Sequence, residues 1–185
     1  WAFSGFVTKG VVGMLTLEDA VIRQGDFSLS ADMTLERGQK YAVIGPSGAG
    51  KSTLLSALCG FTPLDHGRLN WDGQDITDAA PGDRPMTMLF QDNNLFPHLT
   101  VSQNVGLGLR PNLRLSAADM DRVKDALHRV GLSDHAAKRP GALSGGQQSR
   151  AALARVLVQA KPLVLLDEPF AALGPALRNE MLDLV

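Results

Sequence analysis

The chain has almost no cysteine, no apolar run long enough to span a bilayer, and no surplus of charge of either sign. Its single thiol, Cys59, excludes an internal disulfide and fits a reducing, cytosolic compartment. In the context LLSALCGF that thiol reads as a small buried helix residue. A spanning helix needs roughly 20 consecutive apolar residues, and no stretch approaches that. Lys and Arg total 18 against 19 Asp and Glu, so nothing in the balance points to a nucleic-acid groove. There is no internal repeat and no low-complexity tract. Residues 1–13 lack the basic start and continuous apolar centre of a signal peptide. They are expected to be an extension ahead of a native start at Met14; a mature N-terminus mapped to Trp1 would contradict this.

What is there suffices for one compact domain or two small lobes: 185 residues, 44% hydrophobic and 20% charged. Strand patterns open at Met14 (MLTLEDA) and alternate through residues 27–35 (FSLSADMTL). Residues 40–45 (KYAVIG) predict a short buried strand, and residues 51–61 a helix. Asp72-Gly73 between two apolar stretches predicts a hairpin. PMTMLFQ, residues 85–91, reads as another buried strand. The middle is helical: residues 100–109, then 116–132 with Ser116 as cap and Met120, Val123, Leu127 and Val130 on one face. A third helix, residues 144–160, is stopped by Lys161-Pro162. LVLLDE, residues 163–168, predicts a buried strand, and Pro175 opens a last helix. This order implies an α/β fold: a mainly parallel sheet with antiparallel strands near the N-terminus, and a helical subdomain inserted at about residues 95–150. Residues 14–94 and 151–185 then form the core.

Three motifs carry chemistry. GPSGAGKS fits the phosphate-loop pattern, a glycine-rich turn between strand and helix. The backbone of Gly45, Pro46, Ser47, Gly48, Ala49 and Gly50 would wrap a phosphate at a helix N-terminus, followed by Lys51, Ser52 and Thr53. Lys51 would sit on the β- and γ-phosphates and Ser52 would ligate Mg²⁺. At the end of the later strand, Asp167 would hold Mg²⁺ and Glu168 would act as general base on water. LSGGQ, Leu143 to Gln147, is a second cradle: serine at a helix start, then two glycines. One triphosphate needs only one such loop, so a second makes sense if it serves the nucleotide of a neighbouring copy.

With these three motifs in this order, nearly all of residues 14–185 resembles the ATP-binding subunits of ABC transporters. The resemblance implies a P-loop NTPase core using ATP and Mg²⁺, and a head-to-tail dimer of two ATPase subunits. Ser144, Gly145, Gly146 and Gln147 would complete the partner's site, with Ser144 and Gly146 at its γ-phosphate. Gln91 matches the family's Q-loop and would reach Mg²⁺ and the attacking water. The following segment resembles importers whose surface here receives a helix of a membrane permease. Leu95 and Phe96 suit that groove, or pack the helical lobe instead; His98 is a surface or packing residue, not a metal ligand. Loop wording resembles importer ATPases serving thiamine, although no residue of such a subunit meets the solute. The implied setting is peripheral, on the cytoplasmic face of the inner membrane, with a solute-binding protein as indirect partner and no nucleic acid.

Four positions depart from the family pattern. Gly174 stands where Asp is common, and Ser149 where Gln is common. No Tyr or Trp near residue 22 is placed to stack on adenine, which leaves Ile22 or Arg23 to cover the base. The chain also ends one helix after Glu168, before the family's γ-phosphate histidine. It is therefore expected to be a C-terminally truncated subunit that binds Mg-ATP but turns it over poorly. The alternative is a degenerate nucleotide-binding module without effective turnover. A soluble ABC-type ATPase of DNA repair or translation would carry long coiled-coil or duplicated insertions, and none is present.

Overall fold

The computed structural model describes residues 2–4, 14–92, 94–169 and 174–182. They form two compact units, Trp1–Pro85 and Met86–Val185.

The first unit is built on a five-stranded sheet in the order β1-β3-β2-β4-β5. β2 (Leu15–Gln24) and β3 (Phe27–Leu35) form an antiparallel hairpin, and β4 (His66–Trp71) pairs antiparallel with the other side of β2. Alternation sets the faces: Leu15, Leu17, Leu29, Ala31 and Leu35 point into the core. The register shifts between Leu17 and Ala20, where Asp19 takes a left-handed φ of 46°, a bulge that keeps Ala20 and Ile22 inward. β4 turns into β5 (Gln74–Asp75) at Asp72 and Gly73, both left-handed (φ 47° and 81°), as the dipeptide predicts. Ala2–Ser4, β1, pairs parallel with β3. The rest of the expected extension, residues 1 and 5–13, lies outside the described residues.

One expectation fails here. Residues 40–45 form no strand; Tyr41 and Ile44 are exposed, Ile44 at 82%. A strand is held by its ladder rather than by apolar composition, and among the described residues no strand pairs with this run. The phosphate-loop motif therefore follows irregular backbone, although it opens a helix as expected.

That helix, α1 (Lys51–Leu58), buries Leu54, Leu55, Ala57 and Leu58. Its C-terminal end is held by a residue the sequence did not single out. Arg84 is only 4% exposed and donates to the carbonyls of Ala57 and Leu58, and to those of Thr77 and Ala79. A guanidinium at the negative end of a helix satisfies carbonyls that have no intrahelical donor. Burial pulls it below its ordinary pKa, while Cys59 and Asp78 pull the other way.

In the second unit, β6 (Met86–Leu89) pairs parallel with β7 (Leu163–Leu166), Leu89 opposite Leu166. β6 is fully buried, whereas β7 is mostly half-buried, with Leu165 inside. α2 (Val101–Gly106), α3 (Ala117–Arg129) and α4 (Gly145–Leu157) share one core. That core joins Val101, Val105, Val123, Leu127 and Leu153 to Leu89 and to Met181 of α5 (Pro175–Leu182). α2 is shorter than predicted and passes at Leu107 into a turn. On α3, Val123 and Leu127 are buried, as is Val130 at its C-cap, and Met120 is half-buried. α2, α3 and α4 each start with a capping box: Thr100 with Gln103, Ser116 with Asp119, Ser144 with Gln147.

Asn104 is a second polar residue the sequence reading missed. It is fully buried on α2, accepts from the Phe96 N–H, and donates to the carbonyls of Phe96, Leu99 and Thr100. It thus pins residues 96–100 to the helix. Asn104→Leu strands the Phe96 N–H and the Leu99 carbonyl, while the carbonyls of Phe96 and Thr100 keep the N–H groups of Leu99 and residue 104, and the expected loss is about 2–3 kcal/mol of unfolding free energy. Chemical denaturation checks the size, and faster amide exchange at Phe96 checks the place.

Candidate functional site

The phosphate-loop residues lie in the first unit. Gly48 and Gly50 are left-handed, and the Ala49 N–H donates to the Pro46 carbonyl at 3.2 Å. A Cβ at Gly50 would come within 2.6 Å of the Phe27 ring, so β3 backs the loop and only glycine fits. α1 takes over at once, with the Leu54 N–H on the Gly50 carbonyl. The Lys51 ammonium folds over the loop and donates to the carbonyls of Gly45 (2.9 Å) and Pro46 (2.8 Å). α1 has no acidic residue in its first turn, so no carboxylate there opposes an anion. Ser47 and Ser52 are exposed, and Thr53 is half-buried.

The second unit holds the remaining candidates. Parallel pairing of β6 with β7 brings Gln91, Asp167 and Glu168 to one carboxyl edge, because Gln91 follows Leu89 as Glu168 follows Leu166. The Asp167 N–H extends the ladder onto the Leu89 carbonyl at 3.0 Å. Asp167 is 8% exposed, while Gln91 and Glu168 are exposed. Glu168 has φ 44°, an uncommon conformation for a residue with a side chain, and strain of this kind clusters at functional sites.

Ser144 caps α4: its hydroxyl accepts from the Gln147 N–H, and Gln147 Oε1 accepts from the Ser144 N–H. Ser144 and Gly145 are exposed, and the N–H groups of Gly145 and Gly146 stand in the first turn, where a helix offers no acceptor. Ser149 is buried and bonds back to the Gly145 carbonyl, so the departure at this position is absorbed within the helix. Farther along α4, Arg155 donates to the Asn94 carbonyl and ties the segment after Gln91 to this helix. Neither Arg155 nor His135, which meets Gln147, was singled out by the sequence.

Ile22 is 0% exposed, so it cannot cover an adenine base; its hydrophobic side chain belongs to the sheet core. Arg23 is exposed, with its backbone N–H on Asp65. Of the two residues considered for docking, Phe96 is 47% exposed, whereas Leu95 packs against the core. His98 is exposed and meets Phe96 edge-on, with ring centroids 6.0 Å apart. Gly174 is exposed with open space around it, and residues 171–173 lie outside the described residues.

Among the described residues no three His, Cys, Asp or Glu side chains group as a metal cage. The candidate donors are a hydroxyl, an amide and a carboxylate, hard oxygens that suit Mg²⁺ completed by phosphate and water. Among the described residues no helix is long and apolar enough to cross a membrane.

The profile of the ABC transporter family matches residues 29–171. The chain is 59% identical to the thiamine import ATP-binding protein ThiQ of Cereibacter sphaeroides, over 93% of this chain and 74% of that protein. It is 60% identical to the ThiQ of Ruegeria sp. and 51% identical to that of Shigella flexneri, each with the same coverage. Its fold is similar to a dimeric ATP-binding cassette in a post-hydrolysis state with ADP and phosphate (TM-score 0.81, 28% identity, 92% of this chain and 81% of that one). A nucleotide-free cassette from an ABC transporter matches with the same TM-score at 24% identity, over 92% of this chain and 74% of that one.

Proposed function

The chain belongs to the ABC transporter family, and from that premise we propose that it is the ATP-binding and hydrolysing subunit of an importer for thiamine or a closely similar small solute. The observation that carries the reading is one chain with two glycine-rich cradles, each at a helix start, Gly45–Gly50 at α1 and Ser144–Gly146 at α4.

In this mechanism the backbone of residues 45–50 wraps the phosphates of ATP, with the N–H groups of Ser47, Gly48, Ala49 and Gly50 as donors. Lys51 exchanges the carbonyls of Gly45 and Pro46 for β- and γ-phosphate oxygens. Ser52, Gln91 and Asp167 would hold Mg²⁺, which neutralises charge on the phosphates. Gln91 orients a water and Glu168 takes its proton as the oxygen bonds to the γ-phosphorus; the bond to the β-phosphate oxygen breaks and ADP leaves. Ser144 and Gly146 serve the γ-phosphate held by a second copy, with Gln147 setting the loop.

Residues 14–94 and 151–185 act as the nucleotide core and residues 95–150 as a helical subdomain that receives a permease helix near Phe96. The exposed ring on a segment pinned by Asn104 supports that docking role. The subunit works at the cytoplasmic face of the inner membrane, and a solute-binding protein delivers the solute to the permease.

Lys51→Ala removes two charge-assisted contacts to phosphate, and Mg-ATP affinity is expected to fall about 100-fold. Calorimetric titration checks this; equal affinity in the two proteins would remove the phosphate-loop assignment. Loss of labelled-thiamine uptake on deleting the gene checks the solute. Unchanged thiamine uptake with loss of another solute would replace thiamine and keep the importer.

A further inference from the structure

We propose that His135 is a positioning residue of the loop Leu143–Gln147, holding Gln147 through the lone pair of its Nε2. The inference rests on the role proposed above for that loop.

The geometry fixes each atom in turn. Gln147 Oε1 accepts from the Ser144 N–H at 2.9 Å, so the amide oxygen is committed to the helix start. The amide NH₂ points the other way and lies 3.0 Å from His135 Nε2. An NH₂ group only donates, so the imidazole nitrogen it meets must accept. The ring therefore carries its proton on Nδ1. Turning the amide over would let its oxygen accept from a proton on Nε2, but it would set NH₂ against the Ser144 N–H and lose that contact, so the helix start decides the orientation.

His135 is itself anchored. It ends the single turn Ser133–His135, its N–H donates to the Leu132 carbonyl at 2.9 Å, and its carbonyl accepts from the Lys138 N–H at 3.0 Å. The residues that follow are bonded to the start of α2, Ser102 N–H to the Ala136 carbonyl and Val101 N–H to the Lys138 carbonyl. A path of hydrogen bonds thus runs from α2 through the imidazole to Gln147 and the Ser144 cap. The loop is braced from outside its own helix, and the hydroxyl and N–H groups offered to a second copy's phosphate inherit that placement.

The test uses His135→Leu, which keeps bulk and removes the acceptor, and His135→Gln, whose amide oxygen can accept again. Both are made in protein carrying Glu168→Gln to stop turnover, with melting curves to check folding. ATP-driven self-association is read by sedimentation, and Mg-ATP binding by calorimetry. His135→Leu is expected to weaken self-association about tenfold, the size of one lost hydrogen bond at the loop. His135→Gln is expected to recover most of it. Nitrogen spectra of the imidazole should show Nδ1 protonated and Nε2 unprotonated. A proton on Nε2, or a Leu variant that associates as tightly as its parent, overturns the role of His135 alone. A parent that binds ATP but never self-associates overturns the reading of the loop, and this role with it.

Discussion

Glu168→Gln is expected to leave Mg-ATP binding intact and to lower ATP turnover by about 10²–10⁴-fold, the range a positioned general base contributes. The substitution keeps the shape of the side chain and removes its ability to take a proton from water. It also keeps the backbone problem unchanged, since Gln meets the same cost at φ 44° as Glu does. A fall in kcat is thus not explained by a collapsed carboxyl edge. Phosphate release under saturating ATP, set beside calorimetric affinity, separates the two effects. Turnover within threefold of the parent would show that another group receives the proton.

The largest structural effect is expected at Arg84. Arg84→Leu fills much of the volume but leaves the carbonyls of Leu58, Thr77 and Ala79 without their donor, while that of Ala57 keeps the Gly60 N–H. An unsatisfied buried acceptor costs about 1–3 kcal/mol, and water reaching some of the three reduces the sum. A net loss of about 3 kcal/mol is expected, which lowers Tm by about 6–12 °C for a chain of this size. Arg84→Lys should recover only part of this, because one ammonium cannot reach the span of a planar guanidinium. A shift under about 1 kcal/mol in the Leu variant would mean water replaces the guanidinium almost fully. Because α1 starts at Lys51, binding of Mg-ATP measured well below Tm reports whether slackness at one end of the helix reaches the other.

The turns and helix starts were legible in the sequence because their chemistry is local. Asp72-Gly73 makes its hairpin, and Ser116 and Ser144 cap helices through bonds reaching only three residues on. The phosphate loop reads for the same reason: Gly48 and Gly50 need left-handed backbone, whatever lies elsewhere. The run KYAVIG misleads because its state depends on a partner strand, and apolar composition cannot name one. Arg84 and Asn104 were missed for a different reason. Both bond to backbone carbonyls, and a carbonyl leaves no mark on residue identity. The available signal was an amide between Val101 and Val105, on a helix face that is otherwise apolar. Ile22 could be assigned only once the bulge at Asp19 fixed which side of β2 faces inward.

The pairing of β6 with β7 also sets an order in time. Met86 meets Leu163 across the whole of α2, α3 and α4, whereas the hairpins of the first sheet close over a few residues. Closing a long loop costs more chain entropy than closing a short one, and such contacts are made late. The edge that carries Gln91, Asp167 and Glu168 is thus among the last parts of the molecule to assemble. During refolding, amides of β7 should gain protection from exchange after those of β2 and β3. Simultaneous protection of the three strands would place the carboxylate edge in the folding nucleus instead.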